Sequence, residues 1–160
     1  MIQRIQTVFL LLVATAMTAF LFLPIWGKLN VETGELHELR ALFYKSIAMT
    51  GEEETFVYIP YALVGGLAVA SITLALTAIY KYKNRVLQMK MGALNSLLII
   101  VTLMLYGWFV YNGQKDWMPE IPGGFGAGFF MPALAIILNR LAIRFIKKDE
   151  DLVRSVDRIR

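Results

Sequence analysis

Four apolar runs divide the chain, at 7–26, 57–80, 91–111 and 126–143. At ~1.5 Å per residue, a helix of about 20 residues crosses a ~30 Å hydrocarbon core, so each run predicts a membrane-spanning helix. The first run is broken only by Thr7, Thr15 and Thr18. Ala14-Thr15-Ala16 resembles a small-residue cleavage site, but the apolar run continues past it to Trp26. A signal peptide's apolar region should end near its cleavage site, so this run reads as an uncleaved anchor. Pro24 and Trp26 suit the far interface, where indole rings settle among headgroups. In the second run Pro60 falls in the first turn, where a missing N–H costs little. Ala62, Gly66 and Ala70 recur every four residues there, a small-residue stripe that would let helix backbones approach closely. The third run carries Asn95 and Ser96 near one end, and Pro132 offers the fourth a place to bend.

Polar segments fill the gaps. In 27–56, Leu29-Asn30-Val31 and Leu36 to Tyr44 flank Glu32-Thr33-Gly34-Glu35, whose glycine can supply the positive φ of a turn. A β-hairpin is the preferred reading; a short helix is the alternative, since Leu36, Leu39 and Phe43 also fall at helical spacing. Pro119, Pro122 and Gly123-Gly124 forbid a continuous helix through 112–124, and the run Gly123 to Gly128 reads as a flexible entry into the fourth span. The last stretch, 146–160, reads as a separate surface helix. Asp149, Glu150 and Asp151 crowd its start and Arg154, Arg158 and Arg160 its end, the polarity that complements a helix dipole.

Charge orients these elements. The segment Tyr80-Lys81-Tyr82-Lys83-Asn84-Arg85-Val86-Leu87-Gln88-Met89-Lys90 holds four basic residues and no acidic one. Such loops stay on the cytoplasmic side, because Lys and Arg translocate poorly. With 81–90 inside, 27–56 and 112–124 lie outside and the tail 144–160 inside. Twelve of the 16 basic residues then fall on the cytoplasmic side, leaving Lys28, Arg40, Lys45 and Lys115 outside. The expectation is a single all-α membrane domain over residues 1–160, a bundle of four transmembrane helices. Both termini are cytoplasmic, with a structured outer loop and a cytoplasmic amphipathic tail helix.

Composition agrees: 58% of residues are hydrophobic, above the roughly 45–50% of soluble domains. The net charge of +4 is accounted for by basic residues beside apolar spans, which gives no reason to expect a nucleic-acid partner. With no cysteine, disulfides, iron–sulfur clusters and thiolate metal sites are excluded. No ionisable side chain lies in the central part of any run, which argues against a proton relay or an ion-coupled carrier. The single His37 reads as a solvated loop residue, and the glycine run at 123–128 contains no Lys and is no phosphate loop. No catalytic, cofactor-binding or metal-ligating residue is assigned, and no cofactor is expected.

What remains is a polar cluster from three distant segments: Gln3, Arg4 and Gln6; Arg85 and Gln88; Asp149, Glu150, Arg154, Asp157 and Arg158. Positive-inside bias explains the basic members. It does not explain the glutamines and acids, which suggest a surface where another protein docks.

At these segments the chain resembles a family of four-span bacterial membrane proteins catalogued as a domain of unknown function. The resemblance rests on Met1-Ile2-Gln3-Arg4-Ile5-Gln6-Thr7, on Lys83-Asn84-Arg85-Val86-Leu87-Gln88 and on the run from Lys147 to Arg158. It covers essentially the whole chain and implies a Gram-negative inner membrane, but no activity, cofactor or site. The expected function is a non-catalytic accessory or assembly subunit of a larger inner-membrane complex. Its partners would be membrane lipid and other inner-membrane proteins. The alternative is a small transporter or lipid-handling protein with an apolar pocket between its helices.

Overall fold

The computed structural model describes residues 5–47 and 54–157. Four helices long and apolar enough to cross a membrane dominate it: α1 (Ile5–Phe22), α2 (Ala62–Tyr80), α3 (Arg85–Asp116) and α4 (Met131–Asp157). α1 packs on α2 and α4, and α3 packs on the same two, so the helices form a ring in chain order. Each sends one face inward. On α1 this is Leu10, Val13, Ala14, Met17 and Phe20, while Val8, Leu11 and Phe22 remain exposed. Large apolar side chains are exposed on the other helices too, among them Leu63, Val69, Leu97, Met104 and Ile137. An apolar exterior around an apolar interior, on four helices of this length, suggests a multi-pass membrane protein.

The predicted stripe on α2 does not face the bundle. Gly66 and Ala70 are exposed and Ala62 is half-buried, whereas Val64, Gly65, Ala68, Ser71, Ala75 and Ala78 are buried. Helix pitch gives the reason. Steps of four residues drift roughly 40° around a helix at each repeat, while alternating steps of three and four hold one face.

The remaining chain builds a five-stranded antiparallel sheet at one end of the bundle. Its strands are β1 (Trp26–Leu29), β2 (Leu36–Leu39), β3 (Tyr44–Ile47), β4 (Glu54–Val57) and β5 (Gly124–Phe125), in spatial order β4-β3-β2-β1-β5. β1 and β2 form the expected hairpin, and the alternative helix does not form. Asn30 Oδ1 accepts from the Glu32 amide at 3.0 Å, and Gly34 takes the positive φ of 75° that the turn requires. Pairing then goes further than a hairpin. The expected flexible glycine run instead contributes β5, with Gly124 opposite Gly27 and Phe125 opposite Trp26. Gly123 lies so close to the Trp26 ring, and Gly126 and Gly128 so close to the Pro24 carbonyl, that a β-carbon would collide at each. The glycines there permit close packing. Ile25, Trp26, Leu39 and Tyr44 share one buried cluster with Phe20, Val64 and Val110, so the sheet closes the end of the helical core.

Three element boundaries also differ from expectation. α2 begins at Ala62, after Pro60, because 54–57 is drawn into the sheet. α3 runs on to Asp116 and at 32 residues is roughly 48 Å long. The tail forms no separate surface helix; α4 continues unbroken to Asp157.

Candidate functional site

The end of the bundle opposite the sheet gathers most of the described polar candidates. Asn84 caps α3 by accepting from the Leu87 amide at 2.9 Å, which sets Arg85 as the first helical residue. From there the Arg85 guanidinium reaches α4, with Nε 3.0 Å from Asp149 Oδ2 and Nη1 3.8 Å from Glu150 Oε2. Both carboxylates thus lie beside the start of α3, where the helix dipole favours negative charge. One turn further, Gln88 is fully buried and its Nε2 donates to the Ala78 carbonyl at 2.7 Å. That bond satisfies a carbonyl in the last turn of α2 and fixes the α2–α3 corner.

Gln6 on α1 is 3% exposed, and its Nε2 finds no hydrogen-bond partner among the described residues. It lines a cleft of ≈ 380 Å³ together with Ile5, Arg85, Phe145, Lys148, Asp149 and Leu152. Phe145 stacks on Phe9 at 5.4 Å and ties α1 to α4 beside the cleft. Gln6, Arg85, Gln88, Asp149 and Glu150 therefore share this end of the fold. Arg154 and Asp157 belong to the last turns of α4, while Gln3, Arg4 and Arg158 lie outside the described residues.

The acids have an internal role that the sequence did not suggest. Asp149 and Glu150 clasp Arg85 and hold α4 to α3. Beyond this clasp α4 continues for about two more turns, carrying Leu152 (58% exposed) and Val153 (41% exposed).

Two polar features elsewhere escaped the sequence reading. At the sheet end, Lys28 is 1% exposed, and its ammonium donates to the carbonyls of Gln114 (3.1 Å), Trp117 (2.7 Å) and Met118 (3.0 Å). Gln114 lies in the last turn of α3, at its negative pole, and Trp117 and Met118 follow directly, so one ammonium gathers three carbonyls where the helix ends. Burial lowers the Lys28 pKa below its ordinary value. Beside it, His37 is not solvated: its side chain is 12% exposed and stacks on Tyr44 and Trp117. Its Nδ1 is hydrogen-bonded to the Tyr44 hydroxyl and its Nε2 lies 3.2 Å from Glu35 Oε1. Burial also raises the Tyr44 pKa.

The second feature lies within the bundle, where Ser71, Asn95, Thr102 and Asn139 are buried at 0–1% exposure. Asn139 Nδ2 bridges α4 to α3 by donating to the Gly92 carbonyl at 2.8 Å and to Ser96 Oγ at 2.9 Å. Interhelical bonds of this kind hold apolar helices together where lipid supplies no hydrophobic drive. Among the described residues, no group of three or more His, Cys, Asp or Glu side chains comes together as a metal site.

The model of the family described as Domain of unknown function (DUF4293) matches residues 2–159, and the chain belongs to that family. A search of curated proteins found no match.

Proposed function

We propose that the four helices cross a bacterial inner membrane with both chain termini in the cytoplasm and the sheet outside. On this reading the protein is a non-catalytic accessory or assembly subunit that docks to a larger membrane complex through its cytoplasmic end. The support for this orientation is the distribution of basic residues: Lys81, Lys83, Arg85, Lys147 and Lys148 gather at the end of the bundle opposite the sheet, and the sequence adds Arg4, Arg158 and Arg160 to the flanking termini.

One observation carries the docking: α4 runs on past the Arg85 clasp, with Leu152 and Val153 exposed on turns that also bear Asp151, Arg154 and Asp157. A helix that continues past a fixed base and leaves Leu152 and Val153 exposed beside the charged Asp151 offers apolar anchors, the means by which helices seat in partner grooves. The clasp refines which residues face the partner. Asp149 and Glu150 hold Arg85, so docking falls to residues 151–160.

A chain ending at Glu150 separates the two roles, because it keeps the clasp and removes the projecting turns. The expected result is unchanged membrane insertion and loss of the proteins that co-purify with the full chain in mild detergent. Retention of the same partners by the shortened chain would overturn the docking reading.

A further inference from the structure

We propose that the cleft between α1, α3 and α4 binds the headgroup of an aminophospholipid, a zwitterion of the phosphoethanolamine type. Its phosphate would meet Gln6, Lys148 and Arg85, and its primary ammonium would meet Asp149. The inference rests on the membrane-spanning reading above but not on the docking of a partner.

Three observations converge. The first is position. Ile5, Phe145 and Leu152 supply an apolar lining where the apolar turns of α1 and α4 give way to charge, the depth at which a headgroup joins its acyl chains. The second is Gln6, which lines the cleft, is 97% buried as a residue and has no acceptor for its Nε2 among the described residues. A buried donor without an acceptor is costly, and a phosphate oxygen entering the cleft would satisfy it with a charge-assisted bond. The third is the sign of the lining. Arg85 and Lys148 offer positive charge, and Asp149 stands among them with its carboxylate half-exposed. A purely anionic headgroup would meet that carboxylate as a repulsion. A choline headgroup carries no N–H to donate to it. A phosphate with a primary ammonium answers both signs, and the ammonium can share Asp149 with Arg85.

The test uses the full chain purified in mild detergent, with retained lipid read by native mass spectrometry. Phosphatidylethanolamine, phosphatidylglycerol and phosphatidylcholine of identical acyl chains are added in equal amounts. The protein is expected to retain phosphatidylethanolamine over the other two by about tenfold, the worth of one hydrogen bond to a charged group. Gln6→Leu, an apolar replacement at a buried site, and Lys148→Met, at an exposed one, should each remove that preference. Both should leave thermal stability and the background of the other lipids unchanged. Asp149→Asn should bring phosphatidylethanolamine down to the phosphatidylcholine level. Equal retention of the three lipids, a preference for phosphatidylglycerol, or full retention by Gln6→Leu and Lys148→Met would overturn the proposal. Displacement of the lipid by an equal concentration of free phosphoethanolamine would assign the cleft to a soluble ester and overturn it as well. Failure of the membrane reading would show separately, as a chain that purifies from the soluble fraction without detergent.

Discussion

Lys28→Met is expected to lower the unfolding midpoint of the detergent-solubilised protein by roughly 10 °C, a loss of about 3–5 kcal/mol. Methionine keeps most of the apolar stem and its packing against the sheet, so the change isolates the ammonium. Without it, the carbonyls of Gln114 and Trp117 lose this donor in a place where water does not reach Lys28, while Met118 still accepts from the Ile121 amide. Each buried carbonyl left unsatisfied costs about 1–3 kcal/mol. Trp26 and Trp117 lie tilted against each other beside the site, with the ammonium 5.6 Å from the Trp26 ring centre, so tryptophan fluorescence reports on it directly. A midpoint shifted by no more than a degree or two would show that the ammonium does not anchor the end of α3.

Gly65→Leu is expected to be the most disruptive single change on α2, while Gly66→Leu, one residue on, is tolerated. A β-carbon at Gly65 would run into the Leu42 side chain and stand 3.0 Å from the Ala41 carbonyl oxygen, and backbone there cannot yield as a side chain can. At Gly66 no atom of the described residues lies within 4 Å of the same position. Overpacking against backbone costs about 1–3 kcal/mol or more, and here it would also push the sheet off the bundle. The measurement is monodispersity on size-exclusion chromatography, with midpoints for each variant. Equal tolerance of both substitutions would remove Gly65 from the helix–sheet contact. Equal loss would instead place Gly66 against another protein.

The two glycines also show how far the sequence could be read. Apolar runs announced the four helices, because the length needed to cross lipid is a property of each run alone. The hairpin was legible for the same local reason, since Gly34 and Asn30 build its turn from neighbouring residues. Facing was less legible. Small residues four apart caught the eye at Ala62, Gly66 and Ala70, while the true inward face alternates three and four.

Pairings between distant segments left hardly any local trace. Nothing around Gly124 and Phe125 signals a strand, because its partner is β1, a hundred residues earlier in the chain. Lys28 looks like one more charge in a charged loop, since the carbonyls that receive it lie at and just past the end of α3, nearly ninety residues on. The break assigned at 146 followed a change from apolar to charged side chains. That change is one of side-chain polarity, not of backbone: no Gly or Pro occurs after Pro132, so α4 has no cause to stop. The polar cluster fared better, because three segments at one end of a compact bundle must meet. Its internal chemistry did not, since Asp149 and Glu150 meet Arg85 only through the packing of α4 on α3.

The proposed function and the proposed headgroup site both rest on the proposed orientation, with the sheet end outside and the clasp end in the cytoplasm. The chain contains no cysteine, so single ones can be introduced as reporters. Val31, 87% exposed in the turn between β1 and β2, marks the sheet end, and Lys83, exposed in the turn between α2 and α3, marks the clasp end. In intact cells treated with a membrane-impermeant thiol reagent, Val31→Cys is expected to label fully, and Lys83→Cys only after the cells are opened. Labelling of Lys83→Cys in intact cells, with Val31→Cys protected until lysis, would contradict the account.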